Sequence, residues 1–353
     1  VGGVPGQGGS AGQSPGGAGA SAGAAGQAGA AGACAYENDA QFCSCLGKSC
    51  GGDTVKDKAG QFHAVYCGGC ASDGSYCAAF ATEYGGALGT CSAGGGLDPV
   101  QKQKAEMMTS IWENSTTKLQ YGYSQDIGDG RGYTSGRAGF CTGTGDGILV
   151  IECYDLAKPG NAMQTFMPAL VSINEKFAAS GGTAIQSSEV GLDGFPAAWK
   201  STSAADPAFN ACQDSVVNAV YYGTALRHAA EHQFSTALTK AAFYDAQINQ
   251  GEADPRFGMI YMIAQADKLT GPLGAPPTLD DESKWLKNFL VVRDGIMKQY
   301  PEWAGNRYRV STYEKLRAAG NWDLSACIVT DEDVFTIVTS GGMAKATAGS
   351  SCP

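Results

Sequence analysis

The sequence lacks the marks of a membrane span, a nucleic-acid binder and a histidine-built metal centre. No apolar run approaches the roughly 18 residues that cross a bilayer. The only histidines are His63, His228 and His232, so a zinc site would have to recruit an acid as a further ligand. Charged residues make up 16% of the chain, and acids outnumber Lys plus Arg by 34 to 24, for a formal net charge of −10. That balance argues against nucleic acid and favours a cationic or neutral partner. Residues 1–33 carry no charge and are almost wholly Gly, Ala, Ser, Gln and Pro. Such a segment cannot bury enough apolar surface to offset the entropy of ordering it. It is expected to be a disordered tether, either an idle tail or a spacer holding the protein off a cell surface. No signal-peptide pattern is visible, so a mature form is expected.

Glycine, with 51 residues, and cysteine, with 13, are in excess. A length of 353 residues leaves room for one sizeable domain plus extras. So many cysteines point to an oxidising, extracellular compartment and to disulfides. Eight fall in residues 34–91: Cys34, Cys43, Cys45, Cys50, Cys67, Cys70, Cys77 and Cys91. A segment this short with few large aliphatics needs staples. We expect a disulfide-rich module over residues 34–92, with connectivity open, followed by a main domain over 93–353. Cys43-Ser-Cys45 with Cys67-Gly-Gly-Cys70 has zinc-like spacing, but secretion favours disulfides. Tyr36, Phe42, Phe62, Tyr66, Tyr76, Phe80 and Tyr84 would form either a sugar-stacking face or the module's own core.

The main domain opens with Asp98-Pro99 and Gln101, the pattern of an N-cap, a first-turn proline and a capping box. Ala105, Met107, Met108, Ile111 and Trp112 then follow at helical spacing, and the helix should end near residues 113–115. Further helices are expected over 162–177, 214–233, 237–248 and 281–300, the first kinked or delayed by Pro168. The glycine-rich stretch 121–146 and residues 147–153 are expected to supply a short sheet or hairpin. The fold class is therefore mainly α, with a small β element beside a cleft.

Residues 121–146 read YGYSQDIGDGRGYTSGRAGFCTGTGD and place Asp126, Asp129, Arg131, Thr134 and Asp146 on glycine-dense backbone. Such a loop displays side chains close to a ligand. Upstream, Glu113 falls at the end of the predicted helix beside Ile111 and Trp112. Glycosidic cleavage needs one protonated and one ionised carboxyl. A helix C-terminus and apolar neighbours would favour the protonated form of Glu113. Glycine N–H groups and Arg131 would favour the ionised form of Asp129. Glu113 is thus the candidate general acid and Asp129 the candidate base.

Together, Glu113-Asn114-Ser115, Tyr121, the run Asp126-Ile127-Gly128-Asp129-Gly130-Arg131-Gly132-Tyr133-Thr134, Gly139-Phe140-Cys141 and Gly143-Thr144-Gly145-Asp146 closely resemble the chitosanases of glycoside hydrolase family 46. The resemblance extends through Phe243-Tyr244-Asp245-Ala246, Arg293, Tyr308-Arg309-Val310 and Asn321-Trp322-Asp323-Leu324, covering about residues 95 to 330. It implies a lysozyme-like fold of two lobes around a groove. It also implies endo-hydrolysis of β-1,4 links in chitosan with inversion, and no cofactor. Glu113 then matches the acid, Asp129 the base and Thr134 the residue that orients the attacking water. Arg131 and Asp146 match residues lining the sugar groove, with Asn114, Tyr123 and Asp126 beside them. Chitosan is a polyamine, which suits an acidic groove in which Asp146 reads the C2 amine. An inverting pair should stand about 6.5–9.5 Å apart. A monomer is expected.

Arg293 lies in the predicted helix 281–300 among Val291, Val292 and Ile296, and if buried must be paired. Asp245 is the expected partner and Arg309 a second cation. The resemblance places this network behind the cleft, supporting the catalytic aspartate. It also places Cys141 and Cys212 like a disulfide of some relatives. Cys327 and Cys352 would tie down the C-terminus, leaving Cys153 unpaired. The chain departs from the family in a short, aromatic-poor segment between Glu113 and Tyr121 and in Gln125, where some members carry an acid. Residues 181–206 do not align well.

His228-Ala-Ala-Glu231-His232 matches a zinc-peptidase pattern, but on an ordinary helix in the resemblance. Two further alternatives are a non-catalytic cell-surface glycan binder and a lysozyme-like hydrolase of another β-1,4 glycan.

Overall fold

The computed structural model describes residues 32–70, 74–82, 86–180, 189–331, 334–350 and 352. The expected tether therefore lies almost wholly outside the described residues, as does Tyr84. After a short helix, Asp39–Cys45, the chain forms β1 (Cys50–Lys56), β2 (Phe62–Gly68), β3 (Tyr76–Ala81) and β4 (Ala87–Ser92). They make an antiparallel sheet in the order β2-β1-β4-β3. Four disulfides staple it: Cys34–Cys45, Cys43–Cys67, Cys50–Cys77 and Cys70–Cys91. Sulfurs of Cys50, Cys70 and Cys91 lie close together, but each is bonded in a disulfide and offers no thiolate.

Both faces of this sheet are covered. Phe42, Val55, Val65 and Leu88 close a small core with Cys34 and Cys43. Tyr66, Tyr76, Ala79 and Ala87 join the main core, alongside Val150 and Val217 of the helical body. Of the aromatics, Phe42, Tyr66 and Tyr76 are buried and serve packing, whereas Phe80 is exposed. Phe80 lies 4.2 Å under the Arg227 guanidinium, and Tyr36 stacks on His63.

The helical body opens with Pro99–Asn114. Asp98 accepts from the backbone N–H groups of Val100 and Gln101, and Gln101 returns the capping-box bond. The buried Lys104 donates to the carbonyls of Leu324, Ser325 and Ala326, which fixes this helix to the C-terminal segment. There β8 (Ile328–Val329), β9 (Phe335–Ser340) and β10 (Met343–Ala348) form a second sheet, tied by Cys327–Cys352.

Local breakers act where expected. A 3-10 turn, Ala162–Phe166, precedes the helix Met167–Ala179, which has Pro168 in its first turn. Helices also cover Ala237–Gln250 and Leu279–Gln299. The predicted helix 214–233 is instead helix Pro207–Val216, a π-helical turn Val217–Tyr222 and helix Gly223–Glu231. Residues 147–153 correct the expectation of a strand or hairpin, because Gly147–Ala157 is a helix. Its run Ile148-Leu149-Val150-Ile151 is buried on all sides. A fully buried helix loses the amphipathic period by which it would be recognised, and β-branched residues then read as strand.

The cysteine pairing is also corrected. Cys212 bonds Cys153, joining the helices Gly147–Ala157 and Pro207–Val216. Cys141 is a free, buried thiol. Because Cys153 sits on a helix rather than a strand, it comes within 5.6 Å, Cα to Cα, of Cys212.

Candidate active site

A three-stranded sheet carries the glycine-rich stretch: β5 (Ser124–Asp126), β6 (Tyr133–Ser135) and β7 (Phe140–Cys141), with β6 in the centre. Thr134 pairs with Gln125 on one side and Cys141 on the other. It is buried, and its hydroxyl lies 3.6 Å from the Cys141 sulfur. Asp129 sits in the β5–β6 loop between Gly128 and Gly130, whose φ angles of 75° and 77° suit glycine. The N–H that reaches Asp129 Oδ1 belongs to Arg131, at 3.0 Å; Gly128 N–H goes to Asp126. Arg131 also clamps Oδ2, through Nε at 2.7 Å and a second nitrogen at 2.6 Å. Such two-point guanidinium contact holds a carboxylate in one orientation.

Glu113 is the penultimate residue of its helix. Ile111 and Trp112 point into the core, and the Glu113 carboxylate meets a cation that the sequence spacing does not reveal. Arg309 donates to its Oε1 at 2.7 Å. Arg309 also donates to Asp245 at 3.1 Å, and Arg293 to the other Asp245 oxygen at 2.7 Å. Arg293, Asp245 and Arg309 are fully buried, so each charge needs the next. The network therefore ends on Glu113, not on the aspartate that the resemblance suggested; Asp129 has Arg131 instead.

Asp146 immediately precedes the buried helix Gly147–Ala157. Its Oδ1 accepts from Cys141 N–H and the Thr144 hydroxyl, both at 3.0 Å, and its Oδ2 accepts from Tyr221 at 2.6 Å. Burial pushes its pKa above the ordinary carboxylate value, and the Tyr221 hydrogen bond works against that rise. Asp126 and Tyr123 are exposed on and beside β5, and Asn114 is half-buried next to Glu113. Sequence reasoning missed Tyr221: it is 75 residues from Asp146 and belongs to no motif. The zinc-like pair is otherwise engaged. His228 lies between Glu252 and Glu231. His232 contacts the His228 carbonyl and Asp267.

The profile of glycosyl hydrolase family 46 matches residues 107–328, well over half the chain. The protein belongs to this family. As a family 46 member it is a glycoside hydrolase. It is 38% identical to a chitosanase of Bacillus subtilis strain 168 over 239 residues, spanning 66% of this chain and 82% of the relative. It is 36% identical to a chitosanase of Streptomyces sp. N174 over 240 residues, spanning 66% and 80%. Among solved structures, the family 46 chitosanase of Gynuella sunshinyii in complex with chitotetraose aligns at a TM-score of 0.60 with 36% identity. The alignment covers 69% of this chain and all of that one. The native chitosanase of Bacillus subtilis MY002 aligns at 0.58 with 33% identity, covering 71% and 100%. The mainly helical fold with small sheets is thus that of family 46, and the Cys-rich sheet lies outside the matched residues.

Proposed function

We propose that the protein is an endo-acting chitosanase that cleaves β-1,4 links with inversion, Glu113 acting as general acid and Asp129 as general base. The carrying observation is that two carboxylates on separate elements are held in different ways. Asp129 is clamped by Arg131 on both oxygens, which fixes its orientation. Its Oδ1 retains a lone pair able to take a proton from water. Thr134, in the strand that follows the loop, orients that water. Glu113 is held through Oε1 alone, leaving Oε2 for the glycosidic oxygen. The buried Arg293–Asp245–Arg309 chain fixes the position of Oε1. Asn114, Tyr123, Asp126 and Asp146 line the groove, with Asp146 reading the C2 amine. The relatives named as chitosanases, one solved with chitotetraose, support this substrate. The six disulfides fit a secreted enzyme.

The test is hydrolysis of a glucosamine hexamer by wild type and Glu113→Gln, with the anomer of fresh products read by NMR. Loss of a general acid typically costs about 10²–10⁴-fold. Wild type should release α-anomers and the variant almost nothing. Fresh β-anomers would overturn inversion and the role of Asp129. An intact hexamer with wild type would overturn the substrate.

A further inference from the structure

The Cys-rich sheet is built against the element that holds Asp146. Tyr221, the donor to Asp146 Oδ2, sits in the π-helical turn Val217–Tyr222. Such wide turns are rare and shift the face that a helix presents. This one is followed by Gly223, where strand β3 runs so close that an added Cβ would collide with the Cys77 carbonyl and press on the Asn218 carbonyl. Cys77 is pinned by the disulfide to Cys50 in β1. Two more contacts seat the turn from the same side. Tyr66 of β2 bonds Ser215 at 2.5 Å, and Leu97, just after the sheet, donates its N–H to the Tyr222 hydroxyl at 2.8 Å.

A carboxylate offers about four acceptor sites. Cys141 N–H and Thr144 use those of Oδ1, and Tyr221 takes one on Oδ2. The Asp146 backbone N–H also reaches the carboxylate, so a substrate amine approaching Oδ2 does so beside the Tyr221 hydroxyl, which fixes where that oxygen points. That hydroxyl stays a donor, because burial and the adjacent Asp146 hold its pKa well above the ordinary value. Its ring packs beside Phe140 of β7, so Phe at this position keeps the packing.

We propose that Tyr221 is a positioning residue for Asp146, and that the Cys-rich sheet, by clamping the π-turn through Gly223, sets how strictly the enzyme selects an amine-bearing sugar. This rests on the reading of Asp146 as the amine-recognising group. It gives the Cys-rich unit a role inside the catalytic reaction rather than beside it.

The test compares kcat/KM on fully deacetylated and on half-acetylated chitosan oligomers; their ratio is the discrimination. The variants are Tyr221→Phe, Gly223→Ala, both together, and Asp146→Asn, each checked for an unchanged circular dichroism spectrum. Losing one hydrogen bond to a charged group should cut discrimination roughly tenfold in Tyr221→Phe, mainly through KM. Gly223→Ala should lower it in the same direction and add nothing in the Tyr221→Phe background. Discrimination unchanged in Tyr221→Phe but lost in Asp146→Asn overturns the proposal while leaving the amine-reading role intact. Discrimination unchanged in Asp146→Asn overturns that role and the proposal with it. If Gly223→Ala does not fold, the Tyr221→Phe comparison still decides the role of the hydroxyl.

Discussion

Glu152→Gln should stabilise the protein above neutral pH and do little below pH 5. Glu152 lies on the buried helix Gly147–Ala157 and is 9% exposed. Its carboxyl is in hydrogen-bond contact with Asp39, on the first helix of the Cys-rich unit. Asp39 already accepts from Tyr66 N–H at 2.7 Å and the Tyr36 hydroxyl at 2.8 Å. The charges acting on Glu152 are those of Asp39 and Asp155, both acids. Burial, reinforced by these acids, pushes its pKa from the ordinary 4.5 up to about 8. A carboxyl whose folded value is raised contributes stability that is fully present below 4.5 and is lost as pH rises through about 8. At about 1.4 kcal/mol per pK unit the gap sets a ceiling of about 5 kcal/mol. Because the contact can relax when Glu152 ionises, only about 1–3 kcal/mol of that ceiling is expected. Glutamine keeps the shape and donates to Asp39 without ionising. Urea unfolding followed by tryptophan fluorescence at pH 5, 7 and 9 should show the two proteins alike at pH 5, with the variant increasingly ahead at 7 and 9. Parallel stability–pH curves would refute the reasoning, because Glu152 would then not hold a proton in the fold.

Other outcomes follow from the same contacts. Titration of the unreduced protein with a thiol reagent should find no reactive thiol in the native state and one per chain in denaturant, from Cys141. Three thiols per chain on denaturation would mean that one disulfide is absent, and a single labelled thiol mapped by peptide mass to Cys153 would break the Cys153–Cys212 assignment. Arg293→Met leaves the buried Asp245 with Arg309 as its remaining cation, and should cost about 3–5 kcal/mol in denaturant melts. A cost below about 1 kcal/mol would mean that solvent reaches Asp245. These add to the expected inactivity of Glu113→Gln and the weakened amine selection of Tyr221→Phe.

The parts of the site that are legible in the sequence rest on short-range physics. Asp98, Pro99 and Gln101 start the helix that carries Glu113 through bonds within one turn. The glycines around Asp129 allow its loop, and Arg131 reaches Asp129 from two residues away. The roles proposed for Glu113 and Asp129 rest on the family resemblance, since spacing alone does not assign them. The helix Gly147–Ala157 reads wrongly as strand because burial of its first residues, Gly147 to Glu152, erases the period there. The π-turn is unreadable because its residues look like those of any helix.

The sequence alone thus determined the wealth of disulfides, the mainly helical class, the helix that carries Glu113 and the glycine-rich loop, since composition and contacts a few residues apart decide these. Only the tertiary structure decided who partners whom at long range. Arg309 meets Glu113 across 196 residues, Cys153 rather than Cys141 meets Cys212, and Tyr221 meets Asp146. Those pairings depend on which helix faces touch, and face-to-face packing is a property of the assembled core, not of any local stretch of chain.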